Sequence, residues 1–303
     1  MRLPLSTDIS SRDGSSTKNA RMYNVLSEKK PTGQVISAVR PGLTQVALAP
    51  GVNVGGDGIY CWNGTFIAIF NDILYNYSSG NLIPISDPYF SLVVALLHFD
   101  GANGATTFTD QKGHTFTAFG TSALSTSTPK YGTAALSTGD NSSSIEAPTS
   151  PDWNMGSGDF TIEGWIRVSD ISTGLAYLVA IFGASGAYHV AVYRSANRIG
   201  FLVADATGSG YINTVNSETG AVLSNNVWTH IAAVRYGTNF NVYINGVKNA
   251  TMGYSSSITP FFTAGSTLKV GYRTGNFDDF RITKGLARYT VNFTPPAYPF
   301  PNT

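Results

Sequence analysis

The chain of 303 residues carries 19 Lys and Arg against 18 Asp and Glu, which gives a formal net charge of +1 with neutral histidines. Charged residues occupy 12% of positions, about half the quarter that is usual for soluble domains. A near-neutral chain lacks the basic surface that binds nucleic-acid phosphates. A hydrophobic fraction of 42% argues against general disorder, and the longest aliphatic run (residues 92–97) is too short to span a membrane.

The N-terminal sequence MRLPLSTDIS has no apolar signal core, so we expect no signal-directed secretion. The single cysteine, Cys61, excludes an intrachain disulfide and a multi-cysteine zinc site. We expect it to be a small buried side chain within a strand. The length suggests about two domains, although one large all-β domain also fits.

The first part of the chain has a polar arm over residues 6–18, a charged break at 28–31 and hairpin-like stretches. Asn63-Gly64 lies between two strand-like runs, and this dipeptide favours the positive φ angles of a type I′ turn. Asp87-Pro88 interrupts strand pairing, because proline has no N–H to donate. We therefore predict a hairpin-rich attachment module over residues 1–88 and a second domain over residues 89–303.

The second part alternates between apolar and polar residues with the period of a β-strand, as in residues 160–167, 228–236 and 268–272. Asn245-Gly246 predicts a second type I′ hairpin. Residues 284–289 are the clearest helical candidate. Many short strands between Gly, Ser, Thr and Asn clusters predict an all-β sandwich or jelly roll.

Five stretches in the second part resemble, in the same order, the laminin-G-like, concanavalin-A-like jelly-roll modules common in bacteriophage virion proteins. These stretches are residues 96–101 with 106–110, 130–132 with 134–136, 158–166, 228–235 with 242–246, and 277–289 with 292–296. The resemblance covers roughly 210 residues. It implies a concanavalin-A-like jelly-roll sandwich with a lectin-like function, and in some members a bound calcium ion.

The N-terminal part resembles tail or nozzle proteins of short-tailed bacteriophages through residues 3–5, 11–14, 18–21, 24 and 40–43. In those proteins such a segment begins a β-propeller, whereas this sequence has room for about one blade before residue 90. The resemblance implies a multi-copy or homo-oligomeric virion protein that docks on other virion proteins through residues 1–88. Assembly in the host cytoplasm and release by lysis are expected.

An enzymatic role requires a suitable pair of acidic residues, because glycosidases use two carboxylates that flank one bond. The chain has only four glutamates, Glu28, Glu146, Glu163 and Glu218, and none belongs to an alternating acidic cluster. Adjacent Asp278 and Asp279 point to opposite faces of a regular strand. The histidines also lack metal-ligand spacing. We therefore expect a non-enzymatic protein, with a polysaccharide-degrading tail enzyme as an alternative.

Asp278 shares strand parity with Phe280 and Ile282, which are predicted to face the core. A carboxylate facing the core must accept hydrogen bonds or bind a cation. If calcium is bound, Asp100 at the first-strand turn is the second candidate ligand. In the other interpretation, Asp278 accepts backbone N–H groups and binds no metal.

Aromatic residues in turn-flanked polar sequence are candidates for sugar binding, because sugar rings stack on exposed aromatic faces. The six candidates, aromatic and polar, are Asp152, Trp153, Tyr193, Arg194, Tyr211 and Asn213. In the other interpretation, these rings cover sandwich edges or a subunit interface. Trp165 and Trp228 are predicted to pack in the core or between sheets.

These observations predict a structural virion protein whose C-terminal domain binds host-surface carbohydrate, weakly at one site and more strongly through several copies. The main alternative is a decoration or stabilisation protein of the particle that has no glycan site.

Overall fold

The computed structural model describes residues 25–29, 35–39, 56–62, 65–70, 73–78, 81–140, 142–172, 175–183, 188–204, 211–213, 223–253, 266–272 and 275–303. Apart from two short 3-10 helices, Phe90–Leu92 and Pro151–Trp153, the regular elements of these residues are β-strands. The predicted all-β class is confirmed. The chain divides into two compact units, Met1–Phe90 with Pro301–Thr303, and Ser91–Phe300. The assignment of residues 1–88 and 89–303 as domains stays a prediction.

The first unit contains a two-stranded antiparallel sheet and a four-stranded antiparallel meander. The two-stranded sheet pairs β1 (Val25–Lys29) with β2 (Val35–Val39); the meander comprises β3 (Gly56–Trp62), β4 (Thr65–Phe70), β5 (Ile73–Ser78) and β6 (Asn81–Pro84). Trp62 pairs with Thr65, which confirms the predicted hairpin across residues 63 and 64. Cys61 lies in β3 as expected, although its side chain lies outside the described part of the structure.

The second unit is a sandwich of two eight-stranded antiparallel sheets. Sheet I contains β7 (Val93–Leu97), β10 (Ala123–Ser125), β11 (Ala135–Thr138), β13 (Phe160–Arg167), β18 (Thr229–Tyr236), β19 (Asn239–Ile244), β20 (Val247–Gly253) and β22 (Gly275–Lys284), in the order β10-β11-β22-β13-β18-β19-β20 with β7 also paired to β22. Sheet II contains β8 (Thr107–Thr109), β9 (Thr115–Phe119), β12 (Ser144–Ala147), β14 (Leu175–Phe182), β15 (Tyr188–Ser195), β16 (Arg198–Ala204), β17 (Tyr211–Asn213) and β21 (Thr267–Tyr272), in the order β17-β16-β15-β14-β21-β12-β9-β8.

Alternate residues of each strand build the core between the two sheets, as the sequence pattern predicts. Phe160, Ile162 and Ile166 of β13 belong to this core. Val190 and Val192 contribute from β15 in the opposing sheet. The same alternation places the intervening residues on the outer face of each sheet, which is the face that points away from the core.

The two turn predictions in the second unit have different outcomes. Asn245 and Gly246 both have positive φ (48° and 77°) and connect paired strands, so the type I′ hairpin is confirmed. The predicted helix over residues 284–289 is wrong. Strand β22 continues to Lys284, and Thr161 Oγ1 then bonds the backbone of Leu286 and Arg288, so tertiary hydrogen bonds replace those of a helix.

A β-bulge in β22 overturns the predicted parity of its acidic residues. Glu163 pairs with Arg281 and Trp165 pairs with Asp278, so Asp279 and Phe280 both stand opposite Gly164. Asp279 has φ 47°, and a Cβ on Gly164 would lie 3.2 Å from the Phe280 Cα. The extra residue reverses the alternation. Asp278 therefore lies on the outer face with Trp165, which corrects the core-facing prediction for Asp278. Trp165 is buried, as predicted, at 6% exposure, but its strand position places it on the outer face of sheet I rather than between the sheets.

The C-terminal segment, defined as residues 285–300, covers part of the outer face of sheet I. Tyr289 and Phe293 stack with parallel rings at 3.5 Å and pack on a small apolar cluster that includes Val234 and Tyr243. The Phe293 N–H donates to the carbonyl of Gly246. This cover explains how residues on an outer sheet face become fully buried.

Candidate functional site

One predicted site residue, Tyr193, belongs to an aromatic cluster on the outer face of sheet II. Tyr193 of β15 stands directly opposite Gly200 of β16. A Cβ on Gly200 would lie 2.2 Å from the Tyr193 Cζ, so the ring lies flat over the glycine backbone. An aromatic ring that covers a cross-strand glycine in this way presents its other face outward. Tyr193 is half-buried, in agreement with this geometry.

A second tyrosine extends this aromatic surface. Tyr177 of β14 pairs with Tyr193, and their rings meet edge to face at 6.2 Å. We call Tyr177, Tyr193 and Gly200 the tyrosine platform. Strand β17 lies beside β16 at the edge of the sheet, with Asn213 opposite Leu202 and Tyr211 opposite Ala204. The side chains of Tyr211 and Asn213 lie outside the described residues.

Arg194 does not belong to the platform, although it follows Tyr193 in sequence. Alternation turns Arg194 to the other side of β15, where it is 2% exposed and donates to the Ala196 carbonyl at 3.2 Å. The predicted contribution of Arg194 to a sugar site beside Tyr193 is therefore not supported by its position.

Asp152 and Trp153 lie far along sheet II from the platform. They belong to the short helix Pro151–Trp153, which packs against β9 through contact between the Trp153 and Phe116 rings. Three strands (β12, β21 and β14) separate β9 from β15. Trp153 is only 1% exposed and donates from Nε1 to the Pro148 carbonyl, so it presents no ring face to solvent. The six predicted residues therefore do not form a single site.

Asp152 instead takes part in a histidine bridge that sequence reasoning missed. His114 Nε2 lies 2.9 Å from Asp152 Oδ2, and His114 Nδ1 lies 3.1 Å from Asp110 Oδ2. The imidazole also packs 4.7 Å from the Trp153 ring. This network joins the β8–β9 hairpin to the short helix. In the sequence, the only indication of this bridge is the spacing of four residues between Asp110 and His114. Asp152 is 38 residues from His114, so no local pattern links it to them.

The two predicted calcium ligands support one turn, residues 130–133. Asp278 Oδ2 accepts from the backbone N–H groups of Lys130 (2.7 Å) and Tyr131 (3.1 Å). Asp100 Oδ1 accepts from the Thr133 N–H and hydroxyl. One oxygen of each carboxylate, Asp278 Oδ2 and Asp100 Oδ1, is therefore occupied by hydrogen-bond donors, and no cluster of three acidic, histidine or cysteine ligands occurs within the described residues. These residues do not fit a calcium ion shared by Asp100 and Asp278.

The acidic pair at the bulge is buried and electrostatically unusual. Burial, together with the neighbouring Asp279 charge, raises the pKa of Asp278 to about 7, although the backbone N–H groups of Tyr131, Lys130 and Asp279 act to lower it. Burial also raises the pKa of Asp279, whose carboxylate accepts from the Phe300 N–H and lies 2.7 Å from His98 Nδ1. The bulge thus holds two neighbouring carboxyl groups at positions where the charged form is disfavoured.

Glu163, on the same outer face, is a structural anion. Arg281 bonds Glu163 Oε1 at 2.7 Å and Tyr289 donates to Oε2 at 2.8 Å. Burial acts to raise the pKa of Glu163, but the Arg281 guanidinium, with His230 and Arg288 nearby, holds it well below its usual range. A fully buried carboxylate with these partners cannot reach a sugar bond, so Glu163 and Asp278 do not form the pair that a glycosidase requires.

The described residues include no helix that is long and apolar enough to cross a membrane. Residues 137–286 match the Laminin G 3 family model, described as the concanavalin A-like lectin/glucanases superfamily. No curated protein matches the chain.

The chain is similar in structure to several toxin binding domains. The binding domain of Paraclostridial Mosquitocidal Protein 1 is 17% identical with a TM-score of 0.52, over 65% of this chain and 49% of that chain. A botulinum neurotoxin type C structure is 15% identical with a TM-score of 0.51, over 65% and 49%. The serotype D binding domain is 13% identical with a TM-score of 0.50, over 66% and 50%.

The chain spans about half the length of these structures, and at such identities the likeness shows the fold alone. The sandwich topology, the family match and the structural likeness agree with one another. The second unit is a concanavalin-A-like jelly-roll sandwich with the fold of lectin-like binding domains.

Proposed function

We propose that this protein binds carbohydrate through the tyrosine platform on the outer face of sheet II. The observation that carries this proposal is the flat Tyr193 ring over Gly200, which presents one aromatic face away from the sandwich. A sugar ring with its C–H groups toward this face would bury apolar surface and leave its hydroxyls free for polar partners. Edge-strand residues Tyr211 and Asn213 are the proposed polar neighbours.

The character of the wider surface supports a binding role. Lys269 on this face is paired with Glu146 at 2.5 Å, whereas Arg198 is exposed two residues before Gly200 on the same side of β16. The fold is that of a lectin-like family, and cell entry of botulinum neurotoxin type C, one of the structurally similar proteins, depends on interaction with two ganglioside molecules. For the present chain, a sugar is proposed from the platform and the fold together.

We further propose that the chain is a bacteriophage virion component, in several copies, with residues 1–88 docked on other virion proteins. The support is the resemblance of the N-terminal sequence to tail and nozzle proteins. The four-stranded meander β3–β6 also has the strand number of a single propeller blade. Multiple copies would convert weak single-site sugar binding into firm attachment to a host surface.

A glycan array with the full chain tests the binding proposal. We expect binding to at least one glycan, and loss of that binding in Tyr193→Ala. The matched control is Tyr236→Ala, because Tyr236 is a 50% exposed tyrosine at the end of β18 in the other sheet. Equal binding by both variants, or uniform absence of binding by the native chain, contradicts the proposal; the second result favours a purely structural decoration role.

The virion proposal has its own test. An antibody against this chain should label bacteriophage particles purified from a lysate of cells that produce it. Labelling confined to soluble material would contradict the virion assignment without affecting the sugar proposal. Release of reducing sugar from a bound polysaccharide would instead favour the tail-enzyme alternative.

A further inference from the structure

The Lys130 side chain occupies an aromatic pocket on the outer face of sheet I. Its Nζ lies 4.0 Å from the centroid of the Trp165 ring and 5.3 Å from that of Tyr131. The two rings meet edge to face at 5.9 Å. An ammonium group over indole and phenol faces is the arrangement that aromatic pockets use to bind organic cations.

A carboxylate completes the pocket. Asp278 pairs directly with Trp165 across β22 and β13, and its Oδ2 accepts from the Lys130 backbone N–H. The other oxygen, Asp278 Oδ1, is buried without a hydrogen-bond partner, and so is Trp165 Nε1. We call Trp165, Tyr131 and Asp278 the ammonium pocket. It contains a carboxyl oxygen and an indole donor that the described residues leave unused, although buried polar atoms usually have partners.

The Lys130 ammonium contacts the Trp165 and Tyr131 rings. Among the residues that the structure describes, its Nζ makes no hydrogen bond and no ion pair within 4 Å, whereas its backbone is fixed by Asp278. Lys130 and Tyr131 are both partly exposed, so the pocket opens to solvent on the lysine side. Rotation of the flexible lysine stem can therefore remove the ammonium without disturbing the turn 130–133.

We propose that the ammonium pocket is a binding site for an organic ammonium group, which Lys130 fills from within the chain and which an external ammonium ligand fills when Lys130 turns away. The rings favour a diffuse positive charge, Asp278 Oδ1 attracts it, and Trp165 Nε1 donates to an oxygen on the same ligand. An amino sugar of a surface polysaccharide and the choline group of a lipid share this chemistry. The site is separate from the tyrosine platform, which lies on the other sheet.

The first test removes the internal competitor. The full-length chain and Lys130→Ala are titrated with tetramethylammonium chloride, and the Trp165 indole Nε1–H signal is followed by NMR. Loss of one cation–π competitor should make the variant bind about 2- to 30-fold more tightly. Lys248→Ala is the matched control, because Lys248 Nζ also lies near a tyrosine ring (5.7 Å from Tyr243) but bonds the Thr290 carbonyl. Sodium chloride at equal concentration controls for ionic strength.

The second test asks whether the carboxylate takes part. Adding Asp278→Asn to Lys130→Ala should reverse the gain, since asparagine preserves the shape and an acceptor for the backbone N–H groups but removes the charge. A Lys130→Ala chain that is folded and binds no better than the native chain or Lys248→Ala overturns the proposal. Retained tight binding in the double variant overturns the role of Asp278.

The third test distinguishes the ligand source. Glucosamine and choline are compared, with N-acetylglucosamine as the control that lacks the ammonium. Preference for glucosamine assigns the pocket to amino sugars, preference for choline assigns it to a lipid-type head group, and equal binding of N-acetylglucosamine overturns the ammonium assignment. Tyr193→Ala should leave all three results unchanged, so failure here is distinct from failure of the tyrosine platform.

Discussion

The outer faces of the two sheets are built in opposite ways. Sheet I carries Glu163, Arg281 and Asp278 on its outer face, and all three are buried. The C-terminal segment and the turn 130–133 cover these groups. Sheet II carries Tyr193 on its outer face, where the ring lies on Gly200 and remains half-buried. The first face supplies mainly stability, apart from the proposed ammonium pocket, and the second is proposed to bind carbohydrate.

This difference shows why charge content alone is a weak guide to function. In a chain with 12% charged residues, much of the ionic chemistry of the second unit is used internally, where each buried charge requires partners. The tyrosine platform on the outer face of sheet II uses an aromatic ring and a glycine instead. Variants of the outer face of sheet I, and then of sheet II, test this contrast.

Removal of Arg281 should have the largest effect on stability. Arg281→Met leaves the Glu163 carboxylate buried without its guanidinium partner, which typically costs about 3–5 kcal/mol of unfolding free energy. The control is Lys269→Met, which breaks the partly exposed pair with Glu146 and should cost about 0–1 kcal/mol. Urea unfolding of both variants measures the difference, and equal losses would contradict the contrast between the two faces.

The pH dependence of stability should reflect Asp278. Because the folded-state pKa, about 7, is above the unfolded value of 3.8, the folded chain holds a proton that the unfolded chain releases. The contribution of Asp278 to the unfolding free energy is therefore fully present below about pH 4. It is lost as the pH rises to about 7, which reduces the unfolding free energy by up to about 4 kcal/mol.

Asp278→Asn should reduce the loss of stability between pH 4 and pH 7, measured as the unfolding midpoint at a series of pH values. Asp279, whose pKa is also raised, leaves a residual slope of the same sign. Asp100→Asn is the control, because Asp100 also supports the turn 130–133 but is exposed. An unchanged slope in Asp278→Asn would show that this carboxyl does not control the dependence.

The hairpin that supports the C-terminal segment should be sensitive to a single methyl group. Gly246 has φ 77°, and a Cβ there would lie 1.8 Å from the Phe293 carbonyl oxygen. Gly246→Ala should therefore cost more than the 1–2 kcal/mol expected for positive φ alone. Gly285→Ala isolates the backbone cost, because Gly285 has φ 86° and no atom within 4 Å of its Cβ position. Equal melting temperatures for the two variants would show that Phe293 moves away freely.

The smallest stability change and the most specific loss of binding are expected from Gly200→Ala. The new Cβ displaces the Tyr193 ring, while alanine in a strand usually gains about 0.5–1 kcal/mol over glycine, so the two effects oppose each other. Glycan binding should fall as in Tyr193→Ala. Gly275→Ala is the control, since its Cβ meets only ordinary contacts at 3.4 Å or more. Native-like glycan binding by Gly200→Ala would show that the flat orientation of the Tyr193 ring is not needed for binding.

Several features could be predicted from sequence because they depend on neighbouring residues. The Asn245-Gly246 turn follows from the tolerance of this dipeptide for positive φ. The core positions Phe160, Ile162 and Ile166 follow from period-two alternation. By contrast, the helix predicted over 284–289 was wrong, because the hydrogen bonds of Thr161 across sheet I determine the backbone there.

The candidate sites were less accessible to sequence reasoning for the same reason. Tyr193 was identified as a candidate, but Gly200 and Tyr177, which orient its ring, come from neighbouring strands. Asp278 was identified as an unusual carboxylate, but one extra residue at Asp279 moved it to the opposite face. A bulge leaves no periodic signal in a single strand, since it is defined by the register of two strands.

Strand periodicity, turn residues and composition are local properties, and they predicted an all-β chain of low charge with a sandwich or jelly roll in its second part. The family resemblance then favoured the jelly roll. Which side chains meet depends on the three-dimensional fold. It placed Lys130 over Trp165, joined Glu163 to Arg281 and laid Tyr193 on Gly200. These contacts connect residues that are 7 to 118 positions apart, and their distances depend on strand order and register, which no local pattern contains.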